Sequence, residues 1–364
     1  MTPAIKKTAA VIEITGSHEE CMYAQLLFLK QAGYHTIMIC SSNLEKRVIE
    51  FDMADESVFF PFENESISNL PKLLQLRRLL IDRHVSLVAI NSAHGKLIQN
   101  LVLLPYPKDI QFIGILHGIN KLRGSFTQKL ISTRIKKYLL LNDYLVDNLK
   151  RVQVPHEHLQ FESYYPIFFP AFQYPPVLHK PEDQLWITVP GQVEYARRDY
   201  ITLVNEFARL EEKPDVHFIL LGSHQHAAGD GPDLQQRIQA LHLERYFTFT
   251  GYAPNAPFHA YLQASDIIMP LIHPGNDGFE KYLIYQITGS YNLAFAHKKP
   301  LLMLQDFADY EDFKENALFY KLEDLHLRLQ TLREDIAHIT PQLYKSPKWT
   351  VAYQQKKYID FIER

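Results

Sequence analysis

The sequence predicts an α/β protein made of two doubly wound halves, each a parallel sheet with helices on both faces. Three observations lead there. Short, near-continuous apolar runs alternate with segments of helical periodicity, the pattern of parallel strands buried on both faces. Between Phe161 and Pro181 that alternation gives way to a stretch dense in proline and aromatics, YYPIFFPAFQYPP, and it restarts at Leu185. The length, 364 residues, also exceeds what one ordinary core holds.

In chain order, Ala9 to Ile14 reads as a strand, Glu19 to Gln31 as a helix closed by Gly33, and Thr36 to Cys40 as the next strand. A helix over Ser68 to Arg83, a strand over Val85 to Ile90, a helix from about Lys96 to Leu104 and a strand over Ile110 to Leu116 continue the series. The second half predicts strands at Leu185 to Val189, Val216 to Leu221 and Tyr246 to Thr250, then at Ile267 and Leu301 to Leu304. Helices at Tyr200 to Leu210, Asp233 to Leu241 and Ala256 to Ala264 separate them. The expected domains are 1–165 and 184–345, with 346–364 a helix crossing back to the first: Trp349, Tyr353 and Ile359 have helical spacing after Pro347.

Composition narrows the partners. With 46% hydrophobic residues, 22% charged and a net charge of -3, the chain has no nucleic-acid binder's basic excess. Its two cysteines, Cys21 and Cys40, lack metal-ligand spacing, so a disulfide framework or structural zinc is not expected, and no metal or cofactor is predicted. The N-terminus lacks a signal-peptide pattern and no apolar run reaches spanning length, which points to the cytoplasm. Lys121 to Tyr138 carries six cations and no acid, interleaved with Phe126, Leu130, Ile131 and Ile135; this predicts contact with anionic lipid or a phosphorylated acceptor, or else a solvated helix face.

Ligands of open α/β sheets bind beyond the carboxyl ends of strands, so the loops there carry the chemistry. Pro190-Gly191-Gln192 is followed by Arg197 and Arg198, whose guanidinium forks match phosphate oxygens; surface charge is the alternative. Gly222-Ser223-His224 offers close backbone approach to a ligand, or merely a tight turn. Thr288-Gly289-Ser290 interrupts a helical region and starts a new helix, an anion site by its unpaired N–H groups, unless Thr288 simply caps it. His117, ending a strand before Gly118, is the best placed histidine, with His94 a weaker one. Nicotinamide-type and P-loop glycine motifs are absent from the sequence.

Taken together, Gly191 with Arg197, the strand ending at Gly222, Phe249 to Tyr252, Ala264 to Pro270 and Thr288 to Pro300 resemble the C-terminal half of GT-B fold nucleotide-sugar glycosyltransferases, retaining type, similar to glycosyltransferase family 4. The resemblance is specific over Leu185 to Leu304 and holds only in outline before it. It implies two Rossmann-like domains facing an interdomain cleft, a nucleoside diphosphate sugar donor, a glycan or lipid-linked acceptor and no obligatory metal. It places Gly16, Ser17, Gly191, Arg197, Arg198, Gly222, Tyr252, Glu280, Lys281, Thr288, Gly289, Ser290 and Asn292 on the donor, with His117 and Arg197 catalytic. The departures are Gln192 where the family has arginine, and Tyr285 and Leu293 where many members carry a Glu-x7-Glu pair. They leave open a non-catalytic GT-B-like binding module, or a nucleotide-sugar epimerase.

Overall fold

A computed structural model describes residues 7–62, 69–152, 158–173, 175–225 and 230–364. Residues up to Pro170, joined by Lys348–Arg364, form one compact unit, and Ala171–Pro347 form the other. The predicted helix start at Ser68 lies outside the described residues.

The first unit runs β1 (Thr8–Glu13), α1 (Met22–Gln31), β2 (His35–Ser41), α2 (Glu45–Val48), β3 (Glu56–Phe60), α3 (Leu70–Asp82), β4 (Val85–Ile90), α4 (Gly95–Leu103), β5 (Gln111–Leu116), α5 (Phe126–Arg134), β6 (Lys137–Leu140), α6 (Asp143–Arg151) and β7 (Gln160–Ser163). Its seven parallel strands lie in the order β3-β2-β1-β4-β5-β6-β7. Central β1 pairs on both sides, Val11 opposite Met38 and Ala89, and Ala9 to Ile12 are fully buried. That is why the strand reads as an unbroken apolar run.

The second unit runs β8 (Leu185–Pro190), α7 (Tyr200–Ala208), β9 (Val216–Leu221), α8 (Asp230–Ala240), β10 (Phe247–Phe249), α9 (Asn255–Ala264), β11 (Ile267–Ile268), α10 (Gly289–Ala296), β12 (Leu301–Leu304), α11 (Glu311–Lys314), β13 (Ala317–Tyr320) and α12 (Leu325–Ile339). Its six strands lie in the order β10-β9-β8-β11-β12-β13. Counted within the unit this is 3-2-1-4-5-6, the order the first six strands of the other sheet also follow. Both units are therefore doubly wound, with a switch point between the first and fourth strands.

The last helix, α13 (Val351–Glu363), is capped by Thr350, whose side chain accepts from Tyr353 N. It returns to the first unit, where Tyr358 is fully buried with its ring 5.7 Å from Phe28 and 5.8 Å from Tyr164. Two expectations change in detail. Glu19–Cys21 forms a 3₁₀ turn, and the α-helix starts at Met22. The acid-free stretch 121–138 is no single helix face: α5 ends at Arg134, the backbone of Ile135 is extended, and Tyr138 is a fully buried strand residue.

Candidate functional site

In the second unit the switch point falls between β8 and β11, so the loops at 190–199 and 270–278 stand where the topology places a ligand. The first is fastened to its neighbour: Gly191 N donates to Leu221 O at 2.8 Å and Val193 N to Ser223 O at 2.9 Å. A Cβ on Gly222 would stand 2.3 Å from the Gly191 carbonyl oxygen, so the close packing of the two loops requires glycine there.

The two arginines of this loop have opposite surroundings. Arg198 is 8% exposed, and its Nη2 donates to Pro190 O at 2.6 Å while Nη1 reaches Gln192 O at 3.3 Å. It is a clamp under the loop. Arg197 has a side chain 57% exposed, with Nε 2.8 Å from Glu194 Oε2. An exposed pair of this kind contributes about 0–1 kcal/mol, so a phosphate can take over the guanidinium at little cost.

A buried relay holds the second loop. His273 is fully buried, its Nδ1 2.9 Å from Asp199 Oδ2 and its Nε2 2.6 Å from the Tyr320 hydroxyl. Burial pushes the Tyr320 phenol up, so it stays protonated and donates to Nε2, leaving Nδ1–H to donate to Asp199. Asp199 also accepts from Thr202 N at 3.0 Å as the cap of α7. Burial pushes its carboxyl up, but the donors from His273 and Thr202 outweigh this and hold it below the usual range. Leu271 beside the relay is buried with φ 59°, a strained conformation for a branched residue, and its carbonyl accepts from Asp199 N.

Beyond this loop Lys281–Tyr285 form a π-helical turn, Gln286 is extended, and α10 begins at Gly289. Thr288 sits at the cap position, yet its side chain makes no capping hydrogen bond. Thr288 and Ser290 are buried, whereas Gly289 is exposed with nothing within 4 Å of where a Cβ would stand. Asn292, in the same first turn, is buried with no protein partner for its Oδ1. Glu280 and Lys281 are exposed. Tyr252, 72% exposed, follows edge strand β10, two strands from the switch point.

In the first unit the loops after β1, β4 and β5 meet around a buried carboxylate. Glu13 Oε1 accepts from Thr15 N at 2.7 Å and Thr15 Oγ1 at 2.5 Å; Oε2 accepts from Asn91 Nδ2 at 2.8 Å and Ser92 Oγ at 2.5 Å. Burial raises its pKa, and the donors from Ser92, Thr15 and Asn91 pull the other way. With four donors on two oxygens, Glu13 is a fastener rather than an available base. Asn91 extends the mesh, donating to His18 O at 2.8 Å and accepting from Gln25 Nε2 at 2.7 Å.

His117 is 6% exposed and its Nε2 lies 2.9 Å from Asn91 O, so Nε2 carries the proton and Nδ1 keeps the lone pair. Its ring stacks on His18 at 3.9 Å between centroids. Burial and the neighbouring His18 push His117 down to about 3, so it is neutral at physiological pH and serves as a hydrogen-bond acceptor. Gly16 turns this loop with φ 84°, and Ser17 is exposed beside it. Sequence reasoning passed over Glu13, His18, Asn91, Asp199 and His273. The one local signal for Glu13 was an acid ending an otherwise apolar strand. Among the described residues no cluster of three or more metal-ligand side chains forms, and no helix is long and apolar enough to cross a membrane.

No family model matches the chain, and no curated protein matches it by sequence. Solved structures do match over its whole length. A glycosyltransferase from Rickettsia africae aligns with a TM-score of 0.65 at 14% identity, covering 99% of this chain and 98% of that one. The Anabaena protein HepE in complex with UDP-glucose aligns with a TM-score of 0.67 at 12% identity, covering 97% and 99%. A UDP-GlcNAc 2-epimerase from Neisseria meningitidis bound to UDP-GlcNAc aligns with a TM-score of 0.62 at 12% identity, covering 98% and 99%. At these identities the likeness is one of fold: two parallel-stranded, doubly wound units in the GT-B arrangement of chain topology.

Proposed function

We propose that the chain is a glycosyltransferase that moves a hexose-type sugar, with retention, from a nucleoside diphosphate to an acceptor hydroxyl on a cell-surface or lipid-linked glycan. The observation that carries this reading is the second unit's switch point, where a loop clamped from below by Arg198 leaves the neighbouring Arg197 exposed. The leaving diphosphate gains negative charge as the anomeric bond breaks. Arg197, Lys281 and the open first turn of α10 at Gly289 would stabilise that charge more in the transition state than in the ground state. The family resemblance assigns His117, Gly16 and Ser17 of the first unit to the reacting sugar, and the Nδ1 lone pair of neutral His117 suits it to accept from a hydroxyl. The scheme needs no carboxylate base, in keeping with the missing glutamate pair.

A second reading, nucleotide-sugar epimerisation, is supported by the likeness to an epimerase of the same fold at a nearly equal TM-score. Incubation with UDP-, ADP- and GDP-sugars, followed by NMR, separates the readings. Release of nucleoside diphosphate accelerated by a glycan or lipid acceptor is the expected result. A new sugar epimer still attached to its nucleotide identifies the epimerase, and tight binding without turnover a binding module.

A further inference from the structure

The first unit carries a second polar site at the amino edge of its sheet, away from the loops that hold His117. A groove of about 490 Å³ is lined by Val102 and Leu103 at the end of α4, Gln111 and Phe112 at the start of β5, and Arg134, Lys136 and Lys137 between α5 and β6. None of the lining residues is acidic, and among the described residues no carboxylate pairs with its three cations.

Their hydrogen bonds go to carbonyls. Arg134 Nε donates to Val102 O at 2.6 Å and Nη2 to Leu104 O at 3.3 Å; Lys136 Nζ donates to Ser132 O at 2.7 Å; Lys137 Nζ donates to Ile362 O at 3.2 Å. Capping the C-termini of α4, α5 and α13 is the simplest role for such cations, but the charges do not balance. Each helix end carries roughly -0.5 of a charge, so three ends offset about one and a half of the three cations. The Arg134 guanidinium lies over the rings of Tyr106 at 5.2 Å and Phe112 at 5.5 Å, and these contacts add no negative charge. The Tyr106 hydroxyl is buried with no protein partner. Burial and nearby Arg364 hold Lys137 below the usual lysine range, as for a cation short of an anion.

We infer that this groove binds a phosphate-bearing ligand, its phosphate or diphosphate seated on Arg134, Lys136 and Lys137 and its less polar body against Val102, Leu103 and Phe112. A soluble phosphate compound and a lipid phosphate head group share this chemistry. The site lies outside the proposed donor loops and does not depend on them.

The test uses the full chain with saturating UDP present, to occupy any donor site. Calorimetry with inorganic pyrophosphate and sedimentation with phosphatidylglycerol vesicles, against phosphatidylcholine, distinguish the two sources. The K136Q/K137Q variant is compared with K121Q/K129Q, which removes equal charge from the same basic stretch outside the groove. The groove pair should weaken whichever probe binds at least tenfold, with the control pair within twofold. Pyrophosphate binding alone supports a soluble ligand, and vesicle binding alone a lipid head group. Binding of neither probe, or equal loss in both variants, overturns the inference, the latter by showing diffuse charge attraction.

Discussion

Replacing Arg198 by methionine and, separately, Arg197 by alanine should separate scaffold from ligand contact at adjacent positions. Arg198→Met deletes the 2.6 Å bond to Pro190 O and the longer one to Gln192 O, while its thioether fills much of the same buried space. A hydrogen bond to a charged group contributes about 1.5–3 kcal/mol, and relief from burying the guanidinium offsets part of that, so a net loss of roughly 2 kcal/mol is expected. For a unit of this size each kcal/mol moves Tm by about 2–4 °C, so Tm should fall by about 6 °C. Arg197→Ala removes only an exposed pair with Glu194 and should leave Tm within about 2 °C. Its effect should instead appear in calorimetry with UDP, as an affinity loss of about 1.5–3 kcal/mol, roughly 10- to 150-fold. Unchanged UDP affinity in Arg197→Ala would return that residue to solvent. An Arg198→Met protein that keeps its Tm but loses UDP would show that the clamp reasoning assigned the two side chains the wrong way round.

Gly289→Val should lower UDP affinity at least about tenfold with little change in Tm, because no protein atom opposes a side chain there; unfolding, or unchanged affinity, would remove α10 from the phosphate site. Glu13→Gln replaces one acceptor oxygen by a donor facing two donors, and urea unfolding should show a loss of about 2–4 kcal/mol; a loss under about 1 kcal/mol would mean that the mesh rearranges freely. Stability should also fall on acidification. His117 and His259 are pushed down to about 3 and His297 to about 4, mainly by burial, so the unfolded chain binds more protons below about pH 6.5. Their contribution is complete above that pH and is lost as pH falls towards the folded values. His117 alone should cost about 2 kcal/mol by pH 5, and His117→Phe should flatten the dependence; a wild-type urea midpoint equal at pH 7.5 and 5 would contradict the assigned burial.

The parts of the fold legible in the sequence are those whose physics is local. Strands β1, β4, β5, β8 and β9 lie inside their sheets, buried on both faces, and so read as apolar runs. Edge strand β3 is half exposed and begins with Glu56, β7 begins with Gln160, and β6 spans only four residues beginning with Lys137; none has a run long enough to stand out. The same holds at the candidate site. Gly191 and Gly222 were legible as turn positions, because a glycine at a strand's carboxyl end marks a tight turn or a close backbone approach. That Arg198 turns under the loop while Arg197 points out was not, since adjacent residues in an irregular turn follow no period. Glu13 gave only a faint signal, an acid at the end of an apolar strand, because its donors Asn91 and Ser92 are brought to it only by the assembled β1–β4 pair.

These buried groups follow one physical logic in both units. A loop at a switch point must keep its shape with few backbone ladders to hold it, and a polar side chain beneath it can supply the missing hydrogen bonds if every one of its own valences is met. Glu13 does this for the loops after β1 and β4, and Asp199 with His273 for those after β8 and β11. Such groups are expensive to bury and gain nothing from contact with a ligand, so their perturbation should register first in stability. The exposed neighbours they position, Ser17 in one unit and Arg197 in the other, are where a change should register in binding instead. A displaced titration is by itself a poor guide to the ligand contacts, because burial moves the ionisation of Glu13 and His117 while Arg197 stays exposed to solvent.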